Sequence, residues 1–202
     1  MGNKTTLIIL ACAALAAGAN ADITIQEGGA LVTFENTQFN SPSLILSGPI
    51  VEGVGNVNGD IIEFFGAGED LQAIAAGAAR VTAVDGSFAL LSIQMQNPLM
   101  AFVDIQFNLT ALADGDVTIT AYSNKGGSTT DTFAITENGN NVYSILSTMP
   151  DHISLVEIAS TVEMQDVRQI RFNGAQIVPE PASLVALGVG TLLLAARRRK
   201  RL

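Results

Sequence analysis

Few side chains in this sequence are of the types that perform chemistry. A catalytic site needs a base, acid or nucleophile held by an orienting partner. The single histidine, His152, follows Pro150-Asp151, and we expect it to be an exposed turn residue. The single cysteine, Cys12, lies in an N-terminal apolar run, and no serine stands in a Gly-x-Ser-x-Gly context. The pattern predicts a protein that is not an enzyme.

The absence of these catalytic patterns does not eliminate an enzyme that acts on carbohydrates. Paired carboxylates for glycoside hydrolysis have no fixed spacing in a sequence, so the sequence does not eliminate them. The chain has no tryptophan and two tyrosines, however, and clefts that process carbohydrates commonly stack sugars on such rings. The composition therefore disfavours both a hydrolase and a lectin without eliminating either.

Calcium is the ion that best suits the acidic middle of the chain. It takes hard oxygen ligands from loops, and the candidates are Glu35 with Asn36 and Asp114 with Asp116. No Asp-x-Asp-x-Asp-Gly loop is present, and turns favour these residue types without any ion. Structural calcium is thus the only cofactor expected, and solvated turn carboxylates are the alternative. Zinc is not expected, because no histidine cluster exists.

Charge divides the chain into a basic end at each terminus and an acidic middle. Residues 22–178 hold four cations against 18 carboxylates, a net charge of −14. Such a surface repels phosphate backbones, so no nucleic-acid partner is expected. Arg168 and Arg171 are two of the four central cations. They either pair with Asp166 or Glu163 to hold a sheet edge, or they bind a ligand such as a matrix sugar.

Residues 1–21 have the three parts of a secretory signal peptide. Lys4 supplies the positive start, residues 5–17 the apolar core, and Ala19-Asn20-Ala21 the small-x-small cleavage site. Export through the Sec translocon and cleavage after Ala21 would leave Asp22 as the mature N-terminus. A buried helix and a lipoprotein acylated at Cys12 are the weaker interpretations.

The C-terminal segment 178–202 combines an extended spacer, a short apolar run and a cationic end. Prolines flank Glu180 at positions 179 and 181 and hold the backbone extended. Residues 182–196 would form roughly 22 Å of helix, shorter than the hydrocarbon core of about 30 Å, so the bilayer must thin locally. The cations that should remain cytoplasmic are Arg197, Arg198, Arg199, Lys200 and Arg201.

This tail resembles the PEP-CTERM sorting signal of Gram-negative bacteria. The match comprises Pro179-Glu180-Pro181, the Leu/Ala/Gly-rich run and the terminal basic cluster, in that order. The resemblance implies recognition by an exosortase, a membrane-embedded enzyme that removes the tail, in bacteria that make exopolysaccharide. It implies anchoring in the inner membrane, followed by release to the cell surface or extracellular matrix. A permanent single-pass anchor is the alternative.

Between the termini, the dominant hydrophobic period is two residues. Residues 102–112 are predicted to form a half-buried strand. The turn Asp114-Gly115 follows, which predicts an antiparallel hairpin with residues 116–123. Within the first strand, Val103, Ile105, Phe107 and Leu109 should point one way, and Asp104, Gln106, Asn108 and Thr110 the other.

Further short strands are separated by turn signals about every ten residues, a spacing typical of a β-sandwich. An alanine-rich stretch, residues 69–79, is predicted to form one or two helical turns. Residues 108–174 also resemble jelly-roll, galactose-binding-like domains, through Asp116–Tyr122, 138–141 and 166–171. The remaining predicted strands are 23–25, 31–35, 50–54, 61–65, 80–84, 88–94, 130–136, 141–147, 153–161, 167–172 and 175–178.

The predicted protein is therefore an all-β, antiparallel, jelly-roll-like sandwich at residues 22–177, flanked by a signal helix and a transmembrane helix. Its expected function is that of an exported surface or matrix protein, linked to exopolysaccharide or biofilm, with a binding or structural role. Polysaccharide is the expected ligand class. A secreted glycan-active enzyme and a coat protein that self-associates through sheet edges are the alternatives.

Overall fold

The computed structural model describes residues 22–31, 33–75, 80–137 and 139–176, and all regular structure within these residues is β-strand. The all-β prediction is confirmed. The strands are β1 (Ile23–Glu27), β2 (Glu35–Gln38), β3 (Ser47–Gly48), β4 (Ile50–Gly55), β5 (Ile61–Gly66), β6 (Leu71–Ile74), β7 (Arg80–Ala83), β8 (Phe88–Met95), β9 (Met100–Ala111), β10 (Gly115–Ser123), β11 (Ser128–Ile135), β12 (Asn141–Ser147) and β13 (Ile153–Gln176).

The strands form a β-sandwich whose two layers share the long strand β13. In layer I, residues 153–160 of β13 lie between β10 and β8, with β11 beyond β10 and β5 and β4 beyond β8. In layer II, residues 164–176 pair with β9, and β12 and β1 follow outward. On the opposite edge of residues 164–176, β7 pairs at Val167 and Arg168 and β2 pairs at Arg171 and Phe172. The predicted sandwich is confirmed.

Aromatic and aliphatic side chains from both layers meet in one core. The ring of Phe133 in layer I lies 5.3 Å from that of Tyr143 in layer II, and Phe107 packs on Tyr143 at 6.2 Å. Such tilted pairs contribute about 0.5–1.5 kcal/mol beyond the area that they bury. The core therefore fixes the two layers relative to each other, and with them the outer face of layer II.

The predicted hairpin of residues 102–112 and 116–123 is wrong in its pairing. Both strands exist, as β9 and β10, but β9 pairs with β12 and β13, whereas β10 pairs with β11 and β13. The turn at Asp114-Gly115 carries the chain from layer II to layer I instead of folding it back within one layer. Strand β13 crosses the same corner and pairs first with β10 and then with β9.

Three other expectations need correction. The predicted strand 31–35 forms further along the chain, at Glu35–Gln38. The alanine-rich stretch contains strand β6, where pairing with β7 overrides helix propensity, and residues 76–79 lie outside the described residues. The predicted strands 153–161 and 167–172 are one continuous strand, because the intervening residues bend from one layer into the other without leaving the ladder.

The predicted terminal helices, within residues 1–21 and 182–196, lie outside the described residues. Across residues 22–31, 33–75, 80–137 and 139–176, no helix has the length and apolar character needed to cross a bilayer.

Candidate functional site

A β-bulge in β13 brings two arginines to the outer face of layer II. Arg168 lies opposite Asn108 of β9, and Arg171 lies opposite Gln106. The strand β13 thus advances three residues while β9 advances two, so one extra residue is inserted. Gln169, at the bulge, has a φ of 51°, the left-handed conformation that few non-glycine residues adopt. Without the insertion, Arg168 and Arg171 would point to opposite faces.

The neighbouring strands extend this polar surface. Arg80 of β7 lies beside Arg168, so three of the four cations of the acidic domain share one face. We call this surface the arginine face. It consists of Arg80, Arg168, Arg171, Gln106, Asn108 and Asp166.

Asp166 neutralises part of the positive charge on the arginine face. Its side chain is 3% exposed, lies 3.6 Å from the guanidinium of Arg80 and 3.9 Å from Nε of Arg168, and accepts a 2.7 Å hydrogen bond from Thr110. The predicted pairing of Arg168 with Asp166 is therefore present. One carboxylate serves two arginines, however, so an excess of positive charge remains.

Arg171 is held differently from the other two arginines. Its guanidinium carbon lies 4.5 Å from the centroid of the Phe34 ring, a cation–π contact. Its buried Nε has no hydrogen-bond partner among the described residues, and none of their carboxylates lies within salt-bridge distance. A buried guanidinium N–H without an acceptor is costly in the isolated protein.

Asn108 supplies a second unsatisfied group on the arginine face. Its side-chain nitrogen donates a 3.0 Å hydrogen bond to Oδ1 of Asn140, whereas its Oδ1 is buried and has no partner in the described structure. Asn108 is 4% exposed and its neighbour Gln106 is 5% exposed. The prediction of a half-buried strand is therefore wrong for these two positions, which are polar, outward-facing and buried.

The segment between β1 and β2 covers part of the arginine face. Ser144 of β12 donates to the carbonyl of Gly28 at 2.6 Å and accepts from the N–H of Ala30 at 3.1 Å. The hydroxyl of Ser144 also lies 3.3 Å from Oε1 of Gln106. Gly29 of this segment lies against Oε1 of Gln106, and Phe34, at the end of the segment, packs on Arg171.

Asp104 closes one end of the polar surface. Asn173 donates from Nδ2 to Oδ1 of Asp104 and to the carbonyl of Thr33, both at 2.7 Å. Burial raises the pKa of the Asp104 carboxyl above its ordinary value, and the hydrogen bond from Asn173 opposes part of that rise. The carboxyl thus stabilises the covering segment while its negative charge is disfavoured.

The structure separates the four calcium candidates. Glu35 and Asn36 are consecutive strand residues on opposite faces, and the buried carboxylate of Glu35 accepts hydrogen bonds from the N–H groups of Val57 and Asn58 and from the Asn58 side chain. Asp114 and Asp116 are exposed at the crossing between layers. Among the residues that the structure describes, no three His, Cys, Asp or Glu side chains are placed to hold a metal ion.

The expected exposure of His152 is wrong. It is 8% exposed, its N–H donates to Oδ1 of Asn124 at 2.9 Å, and its carbonyl accepts from the N–H of Asn124 at the same distance. These paired bonds draw the residue into the domain. Its Nδ1 has no partner in the described part of the chain, and no hydrogen bond there joins its side chain to a serine or carboxylate.

Sequence reasoning selected Arg168 and Arg171 but missed Arg80, Asn108, Gln106 and Phe34 as their neighbours. Arg80 is brought in by pairing across 88 positions, and Phe34 by a loop, and neither leaves a local pattern. The signal in the sequence that could have identified Arg80 was the scarcity of cations: residues 22–178 contain only four, so each one was a candidate for a specific role.

The C-terminal segment beyond β13 has a family match of its own. Residues 178–200 match the model of the PEP-CTERM protein-sorting motif. This chain carries a PEP-CTERM sorting motif. The matched range includes Pro179-Glu180-Pro181 and most of the basic cluster, both of which lie outside the described residues. The PEP-CTERM motif indicates an exported protein that is anchored through its C-terminus before processing.

The PEP-CTERM motif begins almost directly after the sandwich. Strand β13 ends at Gln176, which pairs with Met100, and the motif starts two residues later. The domain is therefore tethered to the tail through its longest and most extensively paired strand.

Two of the solved structures that resemble this chain are carbohydrate-binding modules. One is a mutant of CBM29-2, from family 29, with 10% identity and a TM-score of 0.31, covering 81% of this chain and 95% of that one. The other is the apo form of CBM1 of BiXyn10A, with 12% identity and a TM-score of 0.25, covering 75% and 98%. Comparison with curated protein sequences finds no match.

Proposed function

We propose that this protein is exported, processed by an exosortase and presented at the cell surface or in the extracellular matrix. The PEP-CTERM motif at 178–200 carries this proposal, together with the predicted signal peptide at 1–21. The Sec translocon delivers the chain, residues 182–196 hold it in the inner membrane, and the basic cluster stays in the cytoplasm. The enzyme removes the tail at the extended Pro-Glu-Pro segment, leaving residues 22–177 as the ectodomain.

We further propose that the ectodomain is a binding protein for an acidic polysaccharide, bound at the arginine face. The observation that carries this is the uncompensated charge of Arg171, a partly exposed residue with no carboxylate of the described residues within salt-bridge distance. It lies on the face that also holds Arg80 and Arg168. A polymer with carboxylates would compensate this charge, whereas a neutral ligand would not.

The charge distribution favours an acidic sugar over a neutral one. A guanidinium presents a planar fork of donors that fits a carboxylate with two parallel hydrogen bonds. Arg80, Arg168 and Arg171 concentrate cations on one face of a domain whose net charge is −14. Acidic chains are repelled elsewhere on the surface, so this face sets both the position and the class of ligand.

The processing proposal is tested on the intact protein in its host. Replacing Pro179-Glu180-Pro181 with three alanines, or deleting the exosortase, should leave the C-terminal peptide attached, and intact mass spectrometry detects the difference of about 25 residues. A matched control deletes only the basic cluster. It alters membrane anchoring and leaves the Pro-Glu-Pro motif intact, so it separates loss of the anchor from loss of the motif. A wild-type protein that retains the C-terminal peptide, or a triple-alanine protein that loses it, would contradict exosortase processing at this motif.

The binding proposal is tested with the exported protein, a polyuronate and a neutral glucan of similar length. Arg171→Ala should weaken polyuronate binding about tenfold or more, the effect of losing a charged hydrogen bond. Lys125→Gln is the control, because it removes the fourth central cation, which lies elsewhere, beside Asp151. Calorimetry or affinity electrophoresis provides the affinity, and Arg171→Lys separates charge from fork geometry.

Three results would count against this assignment. Equal loss of affinity in Arg171→Ala and Lys125→Gln would mean that net charge, and not the arginine face, attracts the polymer. Unchanged binding in Arg171→Ala would place the ligand elsewhere. Turnover of either polymer by the wild-type protein would favour the alternative of a glycan-active enzyme.

A further inference from the structure

The first residue after the predicted signal cleavage site is held at both of its backbone polar atoms. The N–H of Asp22 donates to Oδ2 of Asp151 at 3.2 Å, and its carbonyl accepts from the N–H of Thr148 at 2.9 Å. Strand β1 starts at the next residue, where Ile23 pairs with Ser147. The pairing of β1 with β12 therefore fixes the position of the Asp22 nitrogen, which is the atom that the predicted cleavage would convert into the new amino terminus.

The carboxylate that receives Asp22 is built into the turn before β13. Asp151 is 8% exposed, its own N–H donates to the carbonyl of Thr148 at 3.1 Å, and its Oδ1 lies 3.9 Å from Nζ of Lys125. One carboxylate oxygen therefore faces the lysine, and the other faces the start of β1. A buried carboxylate is stabilised most by charged donors.

We propose that Asp151 is the receptor for the mature amino terminus, so that removal of the leader creates a partly buried ion pair which docks β1. The inference rests on the predicted cleavage between Ala21 and Asp22. Water adds across that amide bond: the carbonyl carbon becomes the carboxylate of Ala21, and the nitrogen of Asp22 becomes an amine that takes up a proton. One neutral N–H is thereby replaced by an ammonium with three donors and a full positive charge.

Strand β1 needs such a contact because it lies at the edge of layer II. It is five residues long and pairs only with β12 among the strands that the structure describes. Ile23 and Ile25 are its buried core residues. Gly29, in the segment that follows β1, lies against Gln106, and Ser144 bonds the same segment at Gly28 and Ala30. Docking of β1 therefore also positions the covering segment of the arginine face. Leader removal would then complete the ectodomain as well as separate it from the signal peptide.

The test compares two mature chains in two backgrounds. One precursor is wild-type, and the other has a serine inserted after Ala21, which moves the new amino group one residue away from Asp151. Each is made with the wild-type aspartate and with the Asp151→Asn substitution, processed in the host, checked by intact mass and unfolded thermally in detergent. We expect the inserted serine to lower the melting temperature by about 2–4 °C in the wild-type background and by much less in the Asp151→Asn background.

A second measurement keeps the proposal testable if Asp151→Asn does not fold. It uses the Lys125→Gln background, so that no lysine beside Asp151 reacts. Chemical acetylation of the α-amino group should lower the melting temperature of the mature chain that begins at Asp22, and acetylation of the serine-extended chain should have little effect. Equal shifts in both backgrounds, or in both acetylated chains, would overturn the proposal. So would a mature N-terminus that sequencing places at a residue other than Asp22.

Discussion

Arg168 and Arg171 lie on the same face of layer II although three positions separate them, because the bulge at Gln169 adds one residue between them. In a regular strand, residues an odd number apart point to opposite faces. The bulge lets Val167 and Phe172 both remain in the core while the two arginines both face outward. The positive surface is therefore a consequence of backbone geometry at one exposed glutamine.

The first prediction concerns the conformation of Gln169. Its φ of 51° costs an ordinary residue about 1–2 kcal/mol, a cost that glycine does not incur. We expect Gln169→Gly to be as stable as the wild type or slightly more stable, and Gln169→Val to be less stable than the glycine variant by at least about 1 kcal/mol. Chemical denaturation measures the difference. Equal stability of the two variants would mean that the bulge relaxes to another conformation.

The local patterns of the sequence predicted strands well and pairings poorly. Alternation within residues 102–123 located β9 and β10 correctly, because the period of two follows from which side chains face the core. The Asp114-Gly115 turn was interpreted as a hairpin, yet the two strands lie in different layers. A turn dipeptide specifies that the chain bends, whereas long-range contacts with β13 decide where it goes.

The candidate site shows the same division between local and long-range information. The two arginines were noticeable as rare cations, but the bulge between them has no glycine to reveal it. The alternation with apolar residues predicted Gln106 and Asn108 on the solvent side of a half-buried strand. Gln106 is instead buried beside Gly29 and Ser144, and Asn108 beside Asn140, all of which are distant in sequence.

The second prediction concerns the arginines that flank Asp166. Arg80 and Arg168 are 42% and 36% exposed, so either one replaced by alanine should cost less than about 1 kcal/mol. Replacing both leaves a carboxylate that is 3% exposed with Thr110 as its remaining side-chain donor, and we expect a loss larger than the sum of the single losses by about 0.5–3 kcal/mol. Urea denaturation of the four proteins measures the coupling.

Asp166→Asn provides the control for this coupling. An amide in place of the carboxylate has no net charge to compensate, so the same pair of arginine replacements should become additive. Additivity in the wild-type background would instead indicate that water or local rearrangement stabilises the isolated carboxylate.

The third prediction separates the structural role of Glu35 from calcium binding. Its carboxylate accepts from two backbone N–H groups and the Asn58 side chain, so Glu35→Ala should destabilise the domain by about 1–3 kcal/mol. The loss should be the same in excess calcium and in EDTA. Asp114→Asn is the matched substitution at the exposed calcium candidate, and we expect it to change stability little, with or without calcium. Stabilisation of the wild type by calcium that disappears in Glu35→Ala would restore a metal role for this residue.

The fourth prediction concerns alkaline pH and Tyr143, whose ring joins the two layers. Burial, reinforced by the negative charge of Glu27, raises the pKa of this phenol to about 12, compared with about 10 for a free tyrosine. Between these values the folded protein retains a proton that the unfolded chain has lost. The native state therefore binds more protons, and its stability must fall as pH rises from about 10 to about 12.

Replacing Tyr143 with phenylalanine should remove most of this dependence. The hydroxyl makes one long hydrogen bond, 3.4 Å to the carbonyl of Ala134, so the variant should retain nearly the wild-type stability at neutral pH. Denaturation at several pH values between about 9 and about 12 should then show a steep decline for the wild type and a shallower one for Tyr143→Phe. Tyr122→Phe is the comparison: the hydrogen bond from its hydroxyl to Glu157 also raises the pKa of Tyr122, but at the exposed surface of layer I, so this variant should keep most of the wild-type decline. An equally steep decline in Tyr143→Phe would mean that another group governs alkaline unfolding.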